Sequence, residues 1–441
     1  MYGPRIDPQL KSQYDGTSMP FHLMKNCLQY YDWGSVSAIP RLLGVENPTG
    51  RPIAELWMGA HPDGPSKVDF GDGEISLAQL VAQEPVSMLG EAAAQRFGGQ
   101  LPFLFKVLAA DTALSIQVHP AKEDAAAGFQ RENLAEIELD DAQRNYKDPN
   151  HKPELLCAIE EFWGLCGFRS LEQIRSEFAE PEMKLSAADQ LRDALQSSDN
   201  QAAAVPAFLE ALLKRTREQA GQLIAAALRL AQRHNAALGA KSAAALQPTE
   251  TRYRWVGTLA SQFPGDPGVL APLFMQLFRL LPGQALFLQP GTLHAYLYGC
   301  GVELMANSNN VLRGGLTPKR IDLPELLRVV DATAPGPQLL DDLQPQTLRG
   351  SSGEPVGSSW RYVTAAAEFS LQRLLIESDE SALRQRGPQP EIAFCRAGRA
   401  RFSSSRGLQT ISRGDSIFIT ATETEYTIAG PGEIYLATVG L

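Results

Sequence analysis

The sequence predicts a mainly β protein: two β barrels, with an α-helical segment inserted into the first. Three observations carry that reading. Residues 21–170 hold short apolar runs broken by Gly, Pro, Asn and Asp, the rhythm of an all-β sandwich or barrel. From about 171 to 260 the texture changes to Ala, Leu, Gln, Glu and Arg. Apolar residues there recur every three or four positions, as in Phe208-Leu-Glu-Ala-Leu-Leu, which is helical spacing. Finally, Leu281-Pro-Gly-Gln-Ala-Leu-Phe-Leu aligns with Ser412-Arg-Gly-Asp-Ser-Ile-Phe-Ile, each a turn glycine followed by an apolar strand. The second β unit thus echoes the first.

Taken in chain order, residues 1–20 have little apolar pattern and read as an N-terminal extension. Inside the first β region, Ser76 to Phe97 carries apolar residues at helical spacing and ends at Gly98-Gly99, which predicts one helix. Residues 171–260 are the helical insertion. The chain beyond them supplies His294, whose surroundings match those of Gln117 and His119 far upstream. The first β domain is therefore discontinuous, 21–170 with 261–335. A Pro- and Ser-rich linker is expected over 336–357. The last unit, 358–441, has no His and no Gln-x-His. Extending the internal alignment puts Glu425 opposite His294, so a β unit without a metal is expected there.

At 441 residues the chain exceeds the roughly 250–300 residues that one core usually serves. The net charge of −10 argues against a nucleic-acid partner and leaves any anionic substrate to local cations. Cys27, Cys157, Cys166, Cys300 and Cys395 are odd in number, lack CxxC spacing and mostly sit in apolar runs, which reads as reduced thiols in a cytoplasmic protein. No apolar span of about 18 residues and no signal-peptide pattern is present, so no membrane association is expected.

Three distant stretches put metal-ligand atoms on one face of a strand. In Leu114-Ser-Ile-Gln-Val-His-Pro, the apolar Leu114, Ile116 and Val118 alternate with Ser115, Gln117 and His119, and alternate strand side chains point to opposite faces. In His151-Lys-Pro-Glu, Lys152 shares a face with Glu154. In Pro290-Gly-Thr-Leu-His-Ala-Tyr, Thr292, His294 and Tyr296 share one. Gln117, His119, Glu154 and His294 together offer two imidazoles, a carboxylate and an amide oxygen, a set that suits Zn²⁺ with an open position. Fe²⁺, Mn²⁺ and Co²⁺ are chemically admissible in the same set.

These motifs carry a resemblance. Gln117-x-His119, His151-Lys-Pro-Glu154, the Pro290 to Tyr296 segment and Asn310-Val-Leu-Arg-Gly-Gly-Leu-Thr-Pro-Lys319 resemble the type I phosphomannose isomerase family, as do Gln29-Tyr-Tyr-Asp-Trp-Gly-Ser35 and Ala54-Glu-Leu-Trp-Met-Gly-Ala-His-Pro62. The motifs span roughly residues 22 to 335 in the family's order, and the C-terminal hundred residues match loosely. The resemblance implies cupin-type jelly rolls, one zinc per chain, and a phosphorylated hexose as substrate. The implied reaction is interconversion of mannose 6-phosphate and fructose 6-phosphate through an enediol. A monomer or small homo-oligomer is expected.

Residue roles follow from the demands of that reaction. Arg313 matches the family's proposed catalytic arginine, and Gly314-Gly315 beside it lets backbone approach closely. Lys152 and His151 are the candidate proton carriers, with strand alternation favouring Lys152 for the metal side and His151 a candidate for ring opening. Ser115, Lys319 and Lys152 are candidate phosphate partners, with Arg320 read as a solvated loop residue. Trp33 and Tyr296 are candidates to cover the sugar. Where the family commonly reads Ser-Asp-Asn, this chain has Ser308-Asn309-Asn310, which removes a carboxylate. Two rival readings are a cupin dioxygenase, which would use Fe²⁺ with mostly His ligands, and a non-catalytic sugar-binding cupin. The amide of Gln117 and the cationic Arg313–Lys319 segment fit a phosphosugar better.

Overall fold

Alternating burial along the strands sorts the chain into two antiparallel sheets, and the computed structural model describes them over residues 20–69, 73–238, 247–340 and 343–441. In the first sheet the path of neighbours runs Gln338–Leu340, Ala285–Leu288, Glu154–Ala158, His294–Ala306, Phe103–Ala110, Glu55–Gly59, Cys27–Gln29. The strand His294–Ala306 is 13 residues long and serves two sets of partners. Its C-terminal part pairs with Phe103–Ala110 and Glu154–Ala158, while its first residues pair with Ile116–Val118 and Phe162–Phe168. One strand thus bends the sheet and brings His294 level with Gln117.

The helical insertion comprises Leu171–Ala179, Asp189–Gln196, Gln201–Leu213, Arg217–Leu238 and Pro248–Gln262. It is not a free-standing domain. Phe178, Phe208, Leu223 and Val256 share one core with Ile116, Val118, Leu293 and Leu312. The apolar face of the short strand Ile116–Val118 is thereby buried against helices, which leaves Gln117 pointing the other way.

The second sheet runs Gln346–Arg349, Pro355–Tyr362, Ser370–Ile376, Gly432–Thr438, Glu391–Ser404, Ser416–Ile419, Phe21–Lys25, Lys67–Asp69, Glu74–Ser76. Three expectations change here. Phe21–Lys25 belongs to the C-terminal sheet, with Phe21 opposite Ile419 and Leu23 opposite Ile417, so the strand that opens the first β region pairs with the last β region. The segment 336–357 is not a bare linker. Gln338–Leu340 adds an edge strand beside Ala285–Leu288, and Gln346–Arg349 pairs with Pro355–Tyr362, because backbone pairing overrides a turn-rich composition. The single helix over 76–97 is three: Leu77–Gln83, Pro85–Leu89 and Glu91–Arg96. Ser76 and Gln79 form a capping box as the start, but Pro85 has no N–H to continue the first helix, and Gly90 turns the chain with φ 81°. Residues 1–19 of the expected extension lie outside the described residues.

The two sheets meet in a dry core in which Phe105, Leu155 and Val302 of the first pack with Phe394, Phe418 and Tyr435 of the second. The rings of Phe105 and Phe394 lie edge to face with centroids 6.4 Å apart. Among the described residues no helix is long and apolar enough to cross a membrane, and all five cysteines are free. Because Phe105 is fully buried at this joint, Phe105→Ala is expected to cost about 3–5 kcal/mol and to lower the urea midpoint. A wild-type midpoint would show that the joint does not hold the units.

Candidate active site and metal centre

Three adjacent strands carry a wall of one large cavity of about 850 Å³. Leu104, Lys106 and Leu108 face it from one strand, Glu55 and Trp57 from the next, and Tyr296, Glu303 and Met305 from the long strand, as period-two alternation requires. At the floor, the Nε2 atoms of His119 and His294 lie 3.2 and 3.5 Å from the two oxygens of Glu154. One ligand atom from each of these three residues falls within 4.8 Å of the others, and all three residues are buried. Gln117 and Glu154 line the cavity itself.

The far sides of the imidazoles explain their orientation. His119 Nδ1–H donates to the Asn310 carbonyl at 2.7 Å and His294 Nδ1–H to the Thr292 carbonyl at 3.0 Å, which fixes both tautomers with a lone pair on Nε2. Asn310 is in turn held by its side chain, which accepts from Lys147 N and donates to the carbonyls of Asp148 and Asn150. Both Nε2 atoms are buried without a hydrogen bond that satisfies them. Burial, and after it Lys152, pushes His119 down to about 4, so the ring stays neutral at ordinary pH. Burial alone would raise the Glu154 carboxyl, but Lys152 and His119 hold it well below the usual range. Two imidazoles whose Nε2 atoms converge on one ionised carboxylate are the donor set of a divalent cation.

Above this floor the cavity is rich in cations. Lys152 Nζ sits 3.0 Å from Glu154 Oε1. Arg313, on the strand Leu312–Gly315, lies opposite Gln117 in register, and burial lowers its pKa. Lys319 is also lowered, by burial first and then by its neighbours Arg313 and Lys147. Among the described residues none of Lys147, Arg313 and Lys319 enters an ion pair, and all three line the cavity. Such unpaired, mutually repelling cations favour an anion.

The expected site residues Gln117, Glu154, Lys152, Arg313, Ser115, Lys319, Tyr296 and Trp33 all face the cavity. Tyr296 is fully enclosed, its hydroxyl 3.5 Å from Glu154 Oε2, and Trp33 stacks on Tyr31 with centroids 5.5 Å apart. His151 does not line the cavity; its Nε2 is 2.7 Å from Glu368 Oε1 on the other side of the segment. Arg320 is engaged with Asp322 and the Gln143 carbonyl, away from the cavity lining. Glu425 is exposed and accepts from Gln385, and among the described residues it belongs to no group of metal-ligand atoms. The missing carboxylate at 309 has a neighbour in its place: Asn309 Nδ2 donates to Asp63 Oδ2 at 2.9 Å.

Sequence reading missed Lys147 and a buried charge network. Lys106 Nζ is 3.2 Å from Glu55 and 3.0 Å from Glu303, and Trp57 Nε1 donates to Glu55 at 2.8 Å. Burial alone would lower the Lys106 pKa, but Glu303 and Glu55 hold it far above the usual range. The signal was present in the sequence, since Lys106 stands alone inside Phe103-Leu-Phe-Lys-Val-Leu-Ala-Ala. A charge in a fully apolar strand needs buried partners.

An antiparallel β framework, a two-histidine and one-carboxylate metal centre and a cationic cleft above it define a metal-dependent enzyme for a small anionic substrate. Residues 21–171 match the family model for the catalytic domain of phosphomannose isomerase type I. The Escherichia coli (strain K12) mannose-6-phosphate isomerase is 38% identical over 414 residues, 93% of this chain and 97% of that one. The human mannose-6-phosphate isomerase is 37% identical over 317 residues, 69% of this chain and 72% of its own length. A solved mannose 6-phosphate isomerase bound with zinc and yttrium superposes with a TM-score of 0.78 at 33% identity, covering 96% of this chain and all of that one. The Salmonella typhimurium enzyme bound to fructose 6-phosphate and zinc gives a TM-score of 0.79 at 33% identity, with the same coverage. The chain belongs to the type I mannose-6-phosphate isomerase family.

Because the imidazoles are preset as ligands, the purified protein is expected to carry about one zinc per chain. His119→Ala and His294→Ala are each expected to lose it. Elemental analysis showing full zinc in both variants would overturn the assignment.

Proposed function

We propose that this chain interconverts mannose 6-phosphate and fructose 6-phosphate, with Gln117, His119, Glu154 and His294 holding one zinc ion. The observation that carries the reading is the pairing of a metal-ready floor with the unpaired cations Lys147, Arg313 and Lys319 in a single cavity. Bound zinc would act as a Lewis acid toward the sugar oxygens. The remaining work falls to the chain's own side chains.

Lys319 and Lys147 take the phosphate, with Ser115 as a neutral donor on the same cavity wall. That anchors one end of an extended hexose and leaves its C1–C2 end toward Glu154. Proton transfer between neighbouring carbons needs one group that accepts a proton and gives it back. Lys152 fills that role by position, in the cavity and next to the metal carboxylate, whereas His151 points away from it. The enediolate formed as the proton leaves carries negative charge, and Arg313 stabilises it as a fixed, half-buried cation that costs no reorganisation. Lys106, kept charged by Glu55 and Glu303, forms with them a buried ion-pair network along the cavity wall. Trp33 and Tyr296 cover the sugar and limit water. We read the two sheets as cupin-type jelly rolls, the second without a metal, supported by the strand alternation and the internal repeat. Charged sugar phosphates stay within the cell that makes them, so the enzyme's place is the cytoplasm.

A coupled isomerase assay on zinc-loaded protein tests the reading directly, and absence of turnover with mannose 6-phosphate would end it. Arg313→Ala is expected to lower kcat by about 10²-fold or more with zinc content unchanged. Near-normal kcat in that variant would remove Arg313 from the mechanism.

A further inference from the structure

The segment that brings Lys152 and Glu154 into the cavity has weak backbone support. Among the described residues, neither His151 nor Lys152 makes a backbone hydrogen bond, and the first such bond after them is from Ala306 N to the Pro153 carbonyl. Pro153 has no N–H to offer, and it restricts Lys152 to an extended conformation. The ends are fixed, the Asn150 carbonyl by Ser308 and Asn310 and Glu154 by its strand, and the two residues between them are held in orientation by a side chain anchored outside the segment. His151 supplies that side chain, and its partner comes from the far end of the sequence.

We propose that Glu368, carried by the C-terminal β unit, is a positioning residue for the active site: its hydrogen bond to His151 holds the 151–152 backbone so that Lys152 projects into the cavity beside Glu154, which its own strand pairing fixes. Glu368 Oε1 lies 2.7 Å from His151 Nε2, and the two side chains are 18% and 28% exposed, half-shielded from competing water. Alternation makes the linkage directional. With Lys152 and Glu154 on the cavity side, His151 emerges on the opposite side, which is where Glu368 stands.

The platform behind Glu368 is rigid. It sits in the turn 363–369 between Pro355–Tyr362 and Ser370–Ile376. Phe369 and Ala366, on either side of it, are buried in the core shared by the two sheets. Gly440 N donates to the Ala367 carbonyl at 3.0 Å, and Tyr362 Oη reaches across to the Gly283 carbonyl at 2.8 Å. Burial alone would raise the Glu368 carboxyl, but the His151 hydrogen bond holds it below the usual range, with Arg96 adding a positive neighbour. The C-terminal unit therefore reaches the catalytic segment through one directed contact as well as through packing. A general base displaced by a fraction of its hydrogen-bond reach loses rate far more than binding, because its alignment matters most in the transition state.

The inference rests on the isomerase reading and on the role of Lys152, and wild-type turnover in the coupled assay establishes that reading separately. Glu368→Ala is expected to lower kcat about tenfold, to change KM for mannose 6-phosphate less than threefold because Lys147, Arg313 and Lys319 are untouched, and to keep its zinc. Glu368→Gln, which retains an oxygen acceptor for the ring N–H, is expected to recover at least half of the wild-type kcat. In a His151→Ala background, Glu368→Ala is expected to have no further effect on kcat. Wild-type kcat in active, wild-type-like Glu368→Ala would overturn the proposal, as would an equal loss with and without His151. If Glu368→Ala aggregates, Glu368→Asp, which draws the carboxylate back by one methylene, carries the same comparison.

Discussion

A carboxylate buried at the floor of the cavity governs the site. Glu154 is 1% exposed and ionised, and an uncompensated charge in such a place would be prohibitive. Its compensation comes from groups that the fold brings from three stretches of chain. Lys152 neighbours it in sequence, His119 arrives on the short strand backed by the helical insertion, and His294 begins the long strand. The imidazoles are locked by carbonyls on their far sides and cannot turn away. Two imidazoles and one ammonium meet the carboxylate at a point where a metal ion fits, so the electrostatic problem posed by Glu154 and the metal chemistry have the same solution. The helices matter to catalysis for this reason: by burying Ile116 and Val118 they dictate where Gln117 points.

Much of that floor was legible in the sequence because strand alternation is a local rule. Gln117 and His119, Lys152 and Glu154, Thr292 and His294 could each be assigned to a face from neighbours one or two residues away. The helical insertion was legible for the same reason, through its own period. What stayed hidden depends on pairings distant in sequence. Phe21–Lys25 looks like the first strand of the first domain until it is found beside Ser416–Ile419. The strands Gln338–Leu340 and Gln346–Arg349 are short and set among turn residues, and only their partners make them strands. Lys106 was visible as an oddity, but its role needed Glu55 and Glu303, which are 51 and 197 residues away in the chain.

His151 shows the limit most sharply. Its sequence neighbours suggested the cavity, and proline at 153 left the alternation open. The structure resolves the direction through a contact 217 residues distant in sequence. The Ser308-Asn309-Asn310 departure is similar in kind. Read alone it is a lost carboxylate, but Asp63 presents a carboxylate to the Asn309 amide from another loop. In both cases the side chain's meaning is set by a partner that no local pattern specifies.

The C-terminal unit meets the same physical problem as Glu154 and answers it differently. Glu391 is 2% exposed within that unit, and its partners are guanidinium groups and a phenol. Arg384 donates to one of its oxygens at 2.8 Å, Arg386 lies 3.2 Å from the other, and Tyr426 Oη donates at 2.5 Å. Guanidinium groups are permanently charged, and Arg384 with Tyr426 donates to both oxygens of Glu391 while Arg386 adds its charge alongside. Glu154, compensated by imidazoles and one ammonium, keeps its lone pairs available. The contrast is between a buried carboxylate set among imidazoles and one set among guanidinium groups. The choice of histidine or arginine beside a buried carboxylate decides whether the charge is closed off or left open to chemistry.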